Sequence, residues 1–310
     1  METPIEKLET PSEDVIPVDR ISNLPDSILC HIFSFLETKT VVATSIFSQR
    51  WKILWSKVTT LDFVCCKPKP ETVKMNFAQF VNRVLLHVDA GSLDKFRLKW
   101  LEGCEAVYVN MWVSYAIARN VRVLKLNLRI IGADGNDYSV AHVPAALFTC
   151  VTLENLTLRG PIMVSLQQLI SSCPVLESLK VERDVNDNVL VYKISSPSLR
   201  QLRFHNYNGK DSIEMDGKKL EIDTPTLQVL QLWDCEWKEF SVNGLMHVND
   251  VKLNLDLSFG DLLGEVVSER CNSIVKVIEA LHHVKYLKLE GTIMKALSKA
   301  TTPLLLGLQD

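Results

Sequence analysis

The sequence predicts a small all-α three-helix module followed by an α/β solenoid with a curved parallel sheet. Three observations carry this prediction. Residues 18–60 hold three short segments whose apolar residues keep helical spacing. From residue 60 onward a short frame of aliphatic positions recurs. Between several copies of the frame, the apolar spacing changes from the period of a strand to that of a helix.

In the helical module, Pro25 suits the first turn of a helix. Ile28, Leu29, Ile32, Phe33 and Leu36 then follow on one helical face. Thr38 is placed to cap a second helix carrying Val41, Val42 and Ile46. Ser48 is placed to cap a third, carrying Trp51, Leu54 and Trp55. Three short helices in about 40 residues bury too little surface to stand alone. Either the large apolar side chains dock on a partner helix, or the module caps the domain that follows.

The recurring frame is L-x-x-L-x-L, with other aliphatics or Phe allowed. It occurs at Leu93–Phe96–Leu98, Val121–Leu124–Leu126, Leu153–Leu156–Leu158, Leu176–Leu179–Val181, Leu199–Leu202–Phe204, Leu227–Leu230–Leu232, Val248–Val251–Leu253 and Val284–Leu287–Leu289. Successive copies are 28, 32, 23, 23, 28, 21 and 36 residues apart. Leucine-rich repeats run about 20–29 residues, so most spacings fit and two imply insertions. Each frame supplies one short strand, and no repeat buries its own apolar face, so the repeats must stack. Residues 75–88, 164–173 and 273–281 have helical periodicity; residues 205–220 are polar and predict a loop or extended linker.

Charge and composition exclude several classes. A net charge of −3 gives no general attraction to nucleic acid or membrane. No run approaches the ~18 apolar residues a membrane helix needs. Residues 1–17 are acidic, interrupted by Pro4, Pro11 and Pro17, and predict a disordered tail without a signal-type apolar run. The eight cysteines, Cys30, Cys65, Cys66, Cys104, Cys150, Cys173, Cys235 and Cys271, are scattered without C-x-x-C pairs, which suits a reduced compartment, nucleus and/or cytoplasm.

Residues 18–60 resemble the plant F-box family. DRISNLPDSILCHIFSFL is similar to the family's opening helix. Val41-Val42-Ala43-Thr44-Ser45, followed by Ser48-Gln49-Arg50-Trp51-Lys52-Ile53-Leu54-Trp55, is similar to its closing helices. Phe47 stands where Leu is usual and Gln49 where Lys is usual. The remainder resembles plant F-box/leucine-rich-repeat proteins that often end in an FBD domain, through FVNRVLLHVDAGSLDKFRLKW and WVSYAIARNVRVLKLNL. VKVIEALHHVKYLKLEGTIMKALS looks like the passage leading into an FBD domain, and TTPLLLGLQD follows, so the resemblance implies a missing or truncated FBD domain. The implied division is a tail (1–17), an F-box (18–60), a leucine-rich-repeat domain (61–290) and a truncated C-terminal segment (291–310).

The resemblance implies a non-catalytic substrate-recognition adaptor of a Skp–cullin–F-box ubiquitin ligase. Leu24, Pro25, Ile28, Leu29, Ile32, Phe33, Val41, Val42 and Trp51 would bind the Skp adaptor and, through it, cullin. Internal packing stays open for each of them, Ile32 and Trp51 first. A target protein would sit on the repeats. Two alternatives remain: a Skp partner or decoy that delivers no target, and a receptor for a small anionic ligand.

Residues between and just after the last two apolar positions of each frame alternate away from the core and should line the concave face. They are Arg97, Lys99, Lys125, Asn127, Thr157, Arg159, Lys180, Glu182, Arg203, His205, Gln231, Trp233, Lys252, Asn254, Lys288 and Glu290; eight are Lys or Arg and two are Glu. Arg97, Lys125, Arg159, Lys180, Arg203, His205, Trp233 and Lys252 are the candidate substrate-binding residues, suited to an acidic or phosphorylated target segment. The competing reading is a solvated face, since Lys is common on exposed strands.

No catalytic constellation, cofactor site or metal site emerges. Gly132-Ala133-Asp134-Gly135 lacks the phosphate-loop frame, and the adjacent His282 and His283 point apart, with no further ligand at metal spacing. Asp134, Asn136 and Asp137 miss the calcium-loop spacing.

Overall fold

The computed structural model describes residues 20–65, 71–101, 105–128, 141–142, 144–160, 162–163, 165–183, 191–206, 219–233, 239–255 and 275–291. The acidic tail, the 132–137 loop, most of the polar 205–220 linker and nearly all of 291–310 lie outside these residues.

The helical module forms as the spacing predicts. α1 (Asp26–Phe33) follows Pro25, whose φ of −58° already suits a helix start. Ser48 caps α3 (Gln49–Leu54), its hydroxyl accepting from the Trp51 amide at 3.4 Å. Thr38 behaves differently from expectation. It is the first residue of α2 (Thr38–Ala43), after Glu37, and offers no cap. Its buried hydroxyl instead accepts from the Asp62 amide at 2.7 Å, in the first strand. A terminal strand has an unpaired edge, and Thr38 satisfies one of its donors.

The solenoid has nine parallel strands in its main sheet: β1 (Thr60–Cys65), β2 (Lys95–Trp100), β3 (Val123–Leu128), β5 (Asn155–Gly160), β7 (Ser178–Arg183), β9 (Gln201–Asn206), β11 (Val229–Trp233), β13 (Asp250–Leu255) and β14 (Tyr286–Gly291), each beside the next. The minor strands β4 (Ala141–His142) and β6 (Ile162–Met163) pair separately. Eight strands match the eight frames; β1 comes from a ninth, Val58–Leu61–Phe63, one strand earlier than the sequence reading placed the series. Register is continuous, so Phe63, Leu98, Leu126, Leu158, Val181, Phe204, Leu232, Leu253 and Leu289 form one transverse row. A slip of one residue in any strand would turn its apolar row out of the core.

The other layer changes character along the solenoid. Its first part is helical: α4 (Glu71–His87), α5 (Ala106–Ala118) and α6 (Leu166–Ser172). α5 was absent from the predicted helical segments. Its later part is a second parallel sheet of β8 (Val191–Ser195), β10 (Lys219–Asp223) and β12 (Glu239–Asn243). These short segments alternate, with Tyr192, Ile194, Leu220 and Ile222 buried, so a strand buries their apolar face where a helix would not. Residues 275–280 return to helix.

Small side chains occupy the position three residues before several frames. Cys150 Sγ donates to the Val121 carbonyl, and Cys173 Sγ to the Leu147 carbonyl. Ser196 Oγ accepts from the Leu199 amide at 3.2 Å. These contacts satisfy backbone groups where the chain turns into each strand. Burial pushes the Cys173 thiol up to about 12, with Cys150 adding to the effect. Gly160 ends β5 with φ +121°, and a Cβ there would lie 1.9 Å from the Leu128 carbonyl oxygen.

Module and solenoid share one core: Leu29, Phe33, Val41, Trp51, Leu54 and Val58 continue into Leu61 and Phe63. The helical module therefore caps the first strand.

Candidate protein-interaction surfaces

The helical module sorts its apolar residues into two sets. Leu29, Phe33, Val41 and Trp51 are buried, and the Phe33 and Trp51 rings pack 5.5 Å apart. Four of the nine predicted adaptor-binding residues therefore lie in the interior, where the three short helices pack on one another. Leu24 and Val42 are half-buried; Pro25, Ile28 and Ile32 are exposed. Ile32, for which internal packing stood open beside adaptor binding, lies outside.

The exposed set is larger than the sequence reading named. Phe35 is 76% exposed, Ile46 82% and Phe47 69%, joined by Ile21, Ile28, Ile32 and Ile53. Ile28, Ile32 and Phe35 follow at helical spacing along and just beyond α1. Ile46 and Phe47 end the turn between α2 and α3, and Ile53 lies on α3. Seven large apolar side chains therefore face water within about 35 residues of the helical module.

Arg50 fixes the approach to α1. Its guanidinium donates to the Ser22 carbonyl at 2.6 Å, the Leu24 carbonyl at 2.6 Å and Asp26 Oδ1 at 2.8 Å. A rigid planar fork suits three acceptors presented by one short loop. Residues 22–26, with Leu24 and Pro25 at their centre, are thereby held against α3.

On the solenoid, the sheet register places Asp62, Arg97, Lys125, Thr157, Lys180, Arg203, Gln231, Lys252 and Lys288 in one transverse row. The neighbouring row runs Val64, Lys99, Asn127, Arg159, Glu182, His205, Trp233, Asn254 and Glu290. All eight predicted substrate-binding residues fall in these two rows. The face is less uniformly cationic than the sequence reading held. Arg97 pairs with Asp62 at 3.0 Å, an acid the reading omitted with β1. Buried Glu182 takes both Arg159, at 2.9 Å, and Lys180, at 2.6 Å. Arg203 Nε donates to Gln231 Oε1 at 3.0 Å.

Lys125 makes no ion pair among the described residues. Partial burial, then the like charges of Lys95, Arg97 and Lys180, lower its pKa from the ordinary value; Asp62 acts the other way. Farther along the two rows, on β7, β9 and β11, Lys180, Val181, Glu182, Arg203, His205 and Trp233 line an open pocket of about 200 Å³. The His205 and Trp233 rings lie 6.1 Å apart.

Residues 21–62 match the F-box domain family. The chain is an F-box protein. Its homologues include an F-box/FBD/LRR-repeat protein of Arabidopsis thaliana, 32% identical over 267 residues that cover 76% of this chain and 56% of the relative. A second F-box/FBD/LRR-repeat protein from that plant is 32% identical over 281 residues, covering 81% of this chain and 64% of its own length. A putative FBD-associated F-box protein, also from Arabidopsis thaliana, is 28% identical over 279 residues, covering 81% of this chain and 62% of its own. The F-box protein thus spans between half and two thirds of the length of these relatives. No solved structure matches it.

The F-box match coincides with the capping helices and ends inside β1. Among the described residues of the F-box protein, no three His, Cys, Asp or Glu side chains are grouped to hold a metal ion. No helix among them is long and apolar enough to cross a membrane. His283, one of the paired histidines, donates a ring nitrogen to the Leu245 carbonyl at 2.7 Å.

Proposed function

We propose that this F-box protein is a substrate-recognition adaptor of a Skp–cullin–F-box ubiquitin ligase. In this reading the exposed apolar surface around Ile28, Ile32, Phe35, Ile46, Phe47 and Ile53 docks on a Skp-family adaptor, and the concave face of the repeats takes a target protein. The observation that carries it is the crowding of large water-facing apolar side chains on the segment that matches the F-box family. Such a surface gains about 25 cal/mol for each Å² of apolar area a partner covers. The chemistry of transfer belongs to other subunits, so the chain acts by holding two proteins near each other, which raises their effective concentration.

The experiment is co-expression of the full chain with a plant Skp adaptor and its cullin, followed by affinity capture through the chain. The reading requires both partners to co-purify, the cullin only when the adaptor is present. A folded chain that captures no adaptor rejects it.

A further inference from the structure

We infer that the basic transverse row takes an extended, acidic segment of a partner protein, its carboxylates over Arg97 and Lys125 and an apolar side chain in the pocket beside Trp233. This rests on the reading that the concave face holds the target and adds the chemistry of what is held. Six of the nine residues in the row are Lys or Arg and one is Asp. Neighbouring strands lie about 4.8 Å apart, so the cations are strung out rather than gathered. A single phosphate needs several donors converging on it. Here Arg97 already leans on Asp62 and Arg203 on Gln231. Several carboxylates spaced along a peptide fit that arrangement better.

Two stretches of the row differ. Lys125 stands among Lys95, Arg97 and Lys180 without an ion pair of its own among the described residues. An incoming carboxylate there relieves repulsion as well as gaining attraction. Toward the pocket, Glu182 offsets one of the two charges of Arg159 and Lys180, and the lining turns aromatic with His205 and Trp233. An anion is less favoured there and an apolar group more so. From β3 to β11 is four strand spacings, about 19 Å, which an extended chain crosses in about six residues. Nucleic acid fits less well, because stacking rings are not interleaved with the cations around Lys125.

The test uses the full chain and a fluorescein-labelled dodecapeptide with four Glu and, six residues beyond their centre, one Leu. A counterpart carries Gln in place of Glu. Fluorescence polarisation should show binding of the Glu peptide, weakening with salt, and at least fivefold weaker binding of the Gln peptide. Lys125→Glu and Arg97→Glu should each weaken the Glu peptide at least fivefold, while Lys276→Glu, off the row, leaves it unchanged. Thermal melts confirm that each variant folds, and Lys125→Gln, the gentler change, should give an intermediate loss. Equal binding of the two peptides, or row reversals without effect, overturns the inference. So does an oligonucleotide that binds as well and is lost with the same reversals. Binding that appears only when Glu6, Glu9, Glu13 and Asp14 are changed to their amides assigns the row to the chain's own tail and overturns the partner. Capture of the Skp adaptor by the same samples separates the two ideas: peptide failure with capture intact sinks only this inference, and capture failure with peptide binding intact sinks only the adaptor reading.

Discussion

The Thr38 hydroxyl and the Asp62 amide, 2.7 Å apart, join the F-box helices to the first strand of the solenoid. Both residues are buried, so the bond is shielded from competing water. Thr38→Val keeps the shape and removes the acceptor, leaving a buried N–H unpaired. That costs about 1–3 kcal/mol. Denaturant unfolding should show the loss, and Thr38→Ser should recover most of it. An unchanged midpoint for Thr38→Val would mean the joint contributes nothing.

Arg50 organises the loop that presents Leu24 and Pro25. Arg50→Ala should lower affinity for a Skp adaptor about tenfold, or about 1.4 kcal/mol, with the solenoid melt preserved. Arg50→Lys should recover only part, because a lysine cannot span the same three acceptors. Calorimetric titration with the adaptor reads both.

Lys125 trades stability for charge. Its pKa is lower folded than unfolded, so the unfolded chain holds the proton more tightly. Charged Lys125 therefore destabilises the fold at neutral pH. The penalty fades as pH rises through the folded pKa toward the ordinary 10.5. Lys125→Gln should raise stability at pH 7 slightly, since water screens this exposed side chain, and its advantage should shrink as pH rises toward the ordinary lysine value. Chemical denaturation across pH checks the direction.

Cys173 should be inert in the native state, since its thiol is buried and pushed up to about 12. An alkylating reagent at pH 8 should label it only after unfolding. Labelling at the rate of an exposed cysteine in folded protein would contradict its placement.

Gly160 sits at φ +121° against the Leu128 carbonyl. Gly160→Ala should destabilise the protein by at least about 2 kcal/mol, measured as a fall in the denaturation midpoint. Gly91, with nothing near its Cβ position, is the control.

Much of this architecture was legible because the repeat is a covalent pattern: the frame from Leu93 to Leu289 names eight strands of the main sheet directly. β1 escaped because its frame begins at Val58, inside the module assigned to helices. α5 escaped because AVYVNMWVSYAIA is apolar nearly all round, leaving no polar face to reveal its period. The exposed apolar set of the helical module was only half legible. Apolar content marks residues that leave water, but not whether they do so within the chain or against a partner. The packing of the helices on one another decides that, and it leaves Leu29, Phe33, Val41 and Trp51 inside and Phe35, Ile46 and Phe47 out. On the concave face the alternation identified the rows, but ion pairing between strands, as at Glu182, depends on which strand is the neighbour.

The proposed docking surface of the F-box is its set of water-facing apolar side chains. The most direct measurement is the affinity of the full chain for a purified plant Skp adaptor, compared with Ile28→Glu/Ile53→Glu. Both positions are exposed, so the variant should melt like wild type. Wild type should bind tightly and the variant at least a hundredfold more weakly, a difference of about 2.7 kcal/mol. Equal affinity of the two folded proteins would contradict it.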